Sequence, residues 1–429
     1  MPQRALRAAL TAGVLAVCIA RATPAQESLP GFTVGASGIF FLTHATGTPQ
    51  GKTLTEAYLT QPMLSANWRP AWFEALGIVN LEGLTLSRGE LDLGEWGEGF
   101  VDRRHPHTYL HELMAGVHST QGPIAASLYA GRGFVPFGSD DPMTRPFVSY
   151  PVDHHLAQIL ERLVVIGAFR GGPLMLEGAS FNGDEPLDPS TPSLARRFGD
   201  SWATRGTLVV HSPASLLGRG ELSASYASVK SPEFRDGQGL DQRKAHVGLR
   251  FDGTAGSFTR YALVEAARAT EVDRGRPLYT FDAILGEAAV CRSDVGFALR
   301  WERSDRPEEE RLLDLFRSAR PATDASILGV TQWTTVSAAV ALPTLSMIGA
   351  RAAPFVEMAR ITADRTTAAV FDPVRFYGTN LMWRLSGGLR VRLGHVHDRV
   401  GRYGVASDTP IMQRALHDHH QLANRRCFS

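Results

Sequence analysis

Four histidines and a glutamate crowd one short stretch, His105, His107, His111, Glu112 and His118, and His154 and His155 follow after a gap. Imidazole and carboxylate groups together suit Zn, Cu or Ni, so a transition-metal centre on His105, His107 and His111 is the sharpest chemistry this pattern offers. On a helix, His107 and His111 would stand at i and i+4 and chelate one ion. On a strand they would share a face, with Glu112 pointing the opposite way. The run His107-Thr108-Tyr109-Leu110-His111-Glu112 is not the zinc-protease motif, because its Glu follows the second His. We favour a plainer role, in which His105-Pro106-His107 fixes a tight turn at a strand entry and Asp102 and Arg104 share the surrounding hydrogen bonds. The cluster His417, Asp418, His419 and His420 lies near the chain end and reads as a solvated tail with only weak, unspecific metal affinity.

Other chemistry is thin. Ser, His and Asp are abundant, yet there is no GxSxG elbow and no Gly-rich phosphate loop ending in Lys-Ser or Lys-Thr, so the chain is not expected to be an enzyme. Lys plus Arg total 44 against 43 Asp plus Glu, which removes the basic excess of a nucleic-acid binder. No cofactor is expected beyond the transition metal. After residue 25 only Cys291 and Cys427 remain, too few for a disulfide framework and without a CxxC pair, although one bridge between them stays open.

The elements that would position these side chains are strands. Lys244 to Asp252 puts Ala245, Val247, Leu249 and Phe251 on one face and Lys244, His246, Arg250 and Asp252 on the other. Val295, Phe297, Leu299 and Trp301 oppose Gly296, Ala298, Arg300 and Glu302; Leu222, Ala224 and Tyr226 oppose Glu221, Ser223 and Ser225; Leu389, Val391 and Leu393 oppose Arg390 and Arg392. Candidate strands lie at 31–42, 57–67, 71–84, 107–118, 123–133, 158–169, 173–181, 202–212, 219–230, 243–252, 256–267, 278–289, 294–303, 327–341, 351–363 and 385–396. Residues 1–25 carry Arg4 and Arg7, an apolar run from Ala8 to Ala20 and the small-residue site Thr23-Pro24-Ala25, the pattern of a cleaved export signal. No later stretch is long and apolar enough for a spanning helix.

An exported chain of amphipathic strands reads as an all-β, transmembrane antiparallel β-barrel of about 16 strands, within a range of 12–18. It would occupy residues 26–396, with 397–429 as a periplasmic tail. A soluble β-sandwich or solenoid would also alternate, but the polar faces here mix Gly, Ser and Arg while many apolar faces hold only Ala, Val and Leu. Short turns at Phe251-Asp252-Gly253-Thr254 and Gly171-Gly172, against long charged loops at Asp184 to Asp200 and Ser304 to Thr323, fit a barrel with two unlike rims. Short loop helices are expected at Pro307 to Arg320 and at Val152 to Leu163; the second competes with a strand and as a helix would fold into the lumen. Arg132, Lys244, His246, Arg250, Arg300, Glu302, Arg390 and Arg392 are the candidate pore-lining residues, with the arginines favouring anions.

The stretch from Gly94 to Pro186 holds an Asp102-Arg103-Arg104-His105-Pro106-His107 block, then Met143-Thr144-Arg145-Pro146, then Ala179-Ser180-Phe181-Asn182-Gly183-Asp184-Glu185-Pro186. It resembles a poorly characterised family of Gram-negative outer-membrane, porin-like proteins. The resemblance implies a barrel in the cell outer membrane and supplies no substrate or catalytic residue. Ser386-Gly387-Gly388-Leu389-Arg390-Val391-Arg392-Leu393 looks like the last-strand signal read by the outer-membrane assembly machinery, although that signal usually stands at the chain end with a terminal aromatic. The partners implied are outer-membrane lipid, that machinery and small solutes, not nucleic acid. The function expected is a porin-like channel for passive passage of small polar or ionic solutes. The alternatives are a closed barrel that captures a transition metal and, behind it, a barrel enzyme acting on lipid or envelope substrates.

Overall fold

In the strand Val295–Asp305, Val295, Phe297, Leu299 and Trp301 are 44 to 50% exposed, whereas Gly296, Ala298, Arg300 and Glu302 are buried. A side chain alternates sides along a strand, so this one has an apolar outer face and a polar inner face. The computed structural model describes residues 32–46, 54–85, 108–138, 154–186, 189–190, 193–211, 218–232, 234–305, 330–343, 345–347, 350–366 and 381–394.

These form one antiparallel sheet of 17 strands. They are β1 (Phe32–Thr46), β2 (Leu54–Trp68), β3 (Phe73–Asn80), β4 (Leu110–Gln121), β5 (Ile124–Gly133), β6 (Arg162–Gly171), β7 (Leu174–Phe181), β8 (Ser201–His211) and β9 (Arg219–Val229). There follow β10 (Asp241–Ala255), β11 (Phe258–Asp273), β12 (Arg276–Arg292), β13 (Val295–Asp305), β14 (Val330–Ala341), β15 (Leu345–Met347), β16 (Ala350–Thr366) and β17 (Leu381–Gly394). Neighbours in sequence pair with one another, except that β14 passes over the three-residue β15 to pair with β16. β17 then pairs with β1 through Ile39–Arg390 and its neighbours, so the long strands close into a ring with no free edge. Each candidate strand read from the sequence overlaps one long strand of this ring, and β15 has no counterpart among them.

The two rims differ as expected. Connections at one rim cover 69–72, 122–123, 172–173, 212–218, 256–257, 293–294 and 342–349; those at the other cover 47–53, 81–109, 134–161, 182–200, 230–240, 306–329 and 367–380, with 274–275 the exception. At that exception β11 and β12 run to 16 and 17 residues and carry the hairpin outward in place of a loop. Outward aromatics mark both levels: Phe32, Trp68, Phe169 and Phe258 near the short-turn rim, and Trp202, Tyr226 and Trp301 near the long-loop rim.

Two local expectations are corrected. Asp252-Gly253 is not a turn, because Asp252 pairs with Tyr261 and Gly253 with Arg260; the chain reverses at Gly256, whose φ of +61° suits glycine. Of the stretch from Val152 to Leu163, the described residues from His154 form a single 3-10 turn at His154–Ala157 and then join β6 at Arg162, in place of a helix or a strand from 158. The helix expected at Pro307 to Arg320 lies outside the described residues, and among the described residues no helix is long and apolar enough to cross a membrane.

Candidate functional site

β5 ends in an apolar run, Phe134-Val135-Pro136-Phe137, that has no place on a solvent-facing rim, and it turns inward. Val135 N–H donates to the Ile159 carbonyl at 3.1 Å, so the two limbs of segment 134–161 hold each other. Gly138, at φ +69°, lets the limbs meet: a Cβ there would lie 1.7 Å from the Ala157 carbonyl oxygen. Val135, Phe137 and Ile159 pack with Met114, Tyr129, Val164, Ile166, Phe181, Ala203 and Ala227 in one buried cluster inside the barrel. The 3-10 turn at the far end of the segment places Leu156 and Ala157 against Ala267 and Ala269 of β11 and Phe281 of β12. The limb that leads into β6 thus reaches β11 and β12, and residues 134–138, which leave β5, lie against it inside the barrel.

Polar groups fix the crossing. Lys244 Nζ donates to the Gln158 carbonyl at 2.9 Å and lies 5.5 Å from the centre of the Phe137 ring. Ser225 Oγ accepts the Gly138 N–H at 2.9 Å, and Arg205 Nη1 donates to the Gly138 carbonyl at 3.3 Å. Arg205 is itself held by both Glu177 oxygens, at 2.6 and 2.9 Å. The Phe137 ring meets the ring of His246 at 6.2 Å, and His246 Nε2 lies 3.1 Å from Glu265 Oε2.

Where the segment rejoins the wall, Glu161 gathers a second knot. Its Oε1 lies 2.6 Å from His111 Nδ1, and its Oε2 accepts the Thr108 N–H at 3.0 Å with the Thr108 hydroxyl at 2.8 Å. Arg132 Nη2 donates to Thr108 Oγ1 at 3.0 Å and lies 3.6 Å from Glu161. Glu161 holds a φ of +51°, a left-handed conformation that a non-glycine residue keeps only when its surroundings fix it. His111 reaches this knot through a β-bulge: Ile78 pairs with Glu112 and Val79 with Leu110, leaving His111 unpaired between them. The extra residue turns both His111 and Glu112 into buried positions, so the expectation that Glu112 faces away from His111 is corrected.

The other wall is a chain of charge pairs. Arg300 Nε donates to Glu287 Oε2 at 2.9 Å, Tyr261 Oη to Glu287 Oε1 at 2.7 Å, and Arg250 Nε to Asp252 Oδ2 at 2.6 Å. Lys244, His246, Arg300 and Glu302 thus sit on the inner face and are buried, and Arg250 is half-buried there. Arg132 follows the outward phase of its strand, pairing with Leu113 in register, yet its guanidinium is buried under the long-loop rim. Arg390 and Arg392 pair with Ala353 and Arg351 of β16, and their side chains lie outside the described residues. So do His105 and His107. Among the described residues no group of three or more His, Cys, Asp or Glu is placed to hold a metal ion.

At the rim above, Asn182 and Arg197 tie two loops together. Asn182 Oδ1 accepts the Leu163 N–H at 2.7 Å, and Arg197 donates to the carbonyls of Lys230, Ser231 and Phe234 and to Asp200. Glu161, Glu177, Arg205 and Gln158 are central here, and sequence reasoning did not single them out as site residues. The usable signal was the short apolar run between Gly133 and Gly138, too greasy for a surface loop.

No protein-family model matches the chain, and no curated protein sequence does. Among solved structures, OprB of Pseudomonas putida superposes with a TM-score of 0.51 at 11% identity, over 85% of this chain and 94% of that one. The anion-selective porin of Comamonas acidovorans gives 0.48 at 9% identity over 85% and 100%. OccK2 of Pseudomonas aeruginosa, solved in complex with glucuronate, gives 0.39 at 11% identity over 88% and 100%. The fold is that of a porin-like β-barrel.

Proposed function

We propose that this chain is a porin-like channel of the cell outer membrane, passing small polar or ionic solutes passively along a path narrowed by segment 134–161. The carrying observation is the crossing itself: a segment rooted between β5 and β6 that packs on β11 and β12 and is bound from the inner wall by Lys244, Ser225 and Arg205. The apolar outer face, with aromatics at both rims, supports a barrel set in lipid. Residues 1–25 act as the export signal, the last long strand guides assembly by the outer-membrane machinery, and the long-loop rim faces outward from the cell.

Lys244, His246, Arg250, Arg300, Glu302, Arg390 and Arg392 are assigned to the luminal stripe. Of these, Arg250 and Arg300 each carry a carboxylate partner, Asp252 and Glu287, which cancels much of the field a lone guanidinium would send into the path. Selectivity then depends on which partner of each pair leans further into water, not on the arginine total.

The test is single-channel conductance of the refolded mature chain in a planar bilayer. Discrete, reversible steps establish a pore. A barrel that inserts and stays silent at all voltages, with and without micromolar Cu²⁺ or Zn²⁺, would sink the channel reading.

A further inference from the structure

The outer face of the barrel carries one feature that a lipid-facing wall does not need. On β13 the outward residues run Val295, Phe297, Leu299 and Trp301, and the next outward position is Arg303, which is exposed. On β11 the outward run of Val264 and Ala266 ends at Arg268, whose side chain is 63% exposed. On β10, Leu249, Val247 and Ala245 lead to Arg243, also exposed. The apolar stripes of β10, β11 and β13 therefore each end on an arginine at the long-loop side, and on β12 between the last two the outward position is Asp282, the partner of Arg268.

Register places these ends within four residues of one another along the wall. Arg303 is in line, through Ile284 and Ala266, with Val247 of β10; Arg268 is in line with Ala245; Arg243 stands one outward position further. From β13 to β10 the arginines thus climb toward the long-loop side. The short-turn rim climbs in the same sense. The β10–β11 turn closes on Ala255–Phe258, whereas the β6–β7 turn closes on Gly171–Leu174, which is in line through Leu208 and Leu222 with Leu249 of β10. Strand tilt produces such a climb, so the line of three arginines follows the sense in which the rim rises from β10 to β6, while the β12–β13 turn at Arg292–Val295 stands level in register with the β10–β11 turn. Trp301 lies one outward position below that line, and Trp202, level in register with Arg243 but two strands further along the climb, also falls below it.

An aromatic girdle marks the boundary between acyl chains and headgroups, so cations just beyond it stand where headgroup phosphates are. Arg268 is pinned by both oxygens of Asp282, at 2.6 and 2.9 Å, which holds its free edge in place; among the described residues no ion pair engages Arg243 or Arg303. We infer that Arg243, Arg268 and Arg303 form a phosphate-binding line on the outer wall, which fastens the barrel to the phosphorylated headgroups of the leaflet on its long-loop side. A guanidinium presents a planar fork suited to phosphate oxygens, which favours this occupant over a protein face.

This inference rests on the membrane reading above, and one experiment separates the two. The full mature chain is refolded into detergent micelles doped with lipid A bearing its phosphates, or with the same lipid dephosphorylated, and retained lipid is counted by native mass spectrometry. The wild type should retain the phosphorylated form, and the dephosphorylated form roughly tenfold less. The triple variant Arg243→Gln, Arg268→Gln, Arg303→Gln should lose that preference, and the triple Lys variant should keep part of it. Arg292→Gln, on the opposite rim and stacked on Phe258 at 5.7 Å, should change nothing. Equal retention by wild type and the triple Gln variant, or an equal loss in Arg292→Gln, overturns the inference while heat-modifiable, inserted barrel leaves the membrane reading standing. Failure of the wild type to insert at all overturns both.

Discussion

Lys244 Nζ sits 2.9 Å from the carbonyl oxygen of Gln158, a bond between the inner wall of β10 and a segment whose roots lie on β5 and β6. Both partners are buried, so neither has water to fall back on. The bond is the clearest single link between the barrel and the segment that crosses it.

Lys244→Met should therefore loosen the crossing without harming the wall. Met keeps the stem that packs near Phe137 and removes the ammonium, leaving the Gln158 carbonyl without its charged donor, a loss of about 1.5–3 kcal/mol. The expected result is a larger and noisier single-channel conductance with unchanged β-sheet circular dichroism. Conductance identical to the wild type would show that the path runs elsewhere.

Gly138 and Gly172 make a matched pair for testing the close approach of the limbs. Both have positive φ, +69° and +56°, but a Cβ at Gly138 would meet the Ala157 carbonyl oxygen at 1.7 Å, while at Gly172 nothing lies within 4 Å. Gly172→Ala should cost only the left-handed penalty of about 1–2 kcal/mol. Gly138→Ala should in addition part the limbs of the segment, and is expected to raise conductance where Gly172→Ala does not.

How much of this was legible beforehand depends on which face a residue shows to what. β13 could be read because its two faces meet lipid and a polar interior, and period-two patterning follows directly. β6 was read as a strand but with its start four residues early, because Val164 and Ile166 pack on the infolded segment while Leu163, Val165 and Phe169 face outward, and such a strand reads as an unbroken apolar run without a clear boundary. Upstream of it, Leu156, Ile159, Leu160 and Leu163 fit a period near 3.6, which is what made Val152 to Leu163 look helical. His111 was misplaced for another reason: a bulge adds one residue to one strand only, and its position depends on the partner β3, not on any pattern within β4. The knot at Glu161 brings it to residues 50 and 53 positions away, His111 and Thr108, so spacing carried no sign of it.

Glu161 is where stability should be most sensitive. It accepts from Thr108, lies against His111 at 2.6 Å and neutralises Arg132, all within the protein interior. Glu161→Ala strands a buried guanidinium, and breaking a buried pair from one side typically costs about 3–5 kcal/mol. The urea midpoint of folding into lipid vesicles should fall accordingly, and adding Arg132→Met should recover part of the loss. If the double variant is no better than the single, the knot is not organised around charge.

Arg300 and Glu287, 2.9 Å apart on the inner wall, offer a test of selectivity with opposite signs. Arg300→Gln leaves the carboxylate without its cationic partner, the Tyr261 hydroxyl remaining, and should shift the reversal potential, measured under a salt gradient, toward cation preference. Glu287→Gln should shift it toward anions. Two shifts of the same sign, or none, would place this pair outside the conducting path.

Leu299 tests the outer face. It stands midway along the outward stripe of β13, between Phe297 and Trp301 and 48% exposed, in line through Ala288 and Ala262 with Phe251 of β10. An arginine at the midplane of a lipid-facing strand costs about 2–4 kcal/mol, whereas near the interface the cost falls to about 0–1 kcal/mol. Leu299→Arg should therefore lower the equilibrium stability of the barrel in vesicles by that larger amount, while Arg303→Leu, two residues along on the same face, should change it little. The comparison is made by reversible denaturant titration in one lipid, with tryptophan fluorescence as the signal. A small effect at Leu299 would mean that this stripe is covered by protein and not by lipid, since only an acyl environment denies the guanidinium a partner at that depth.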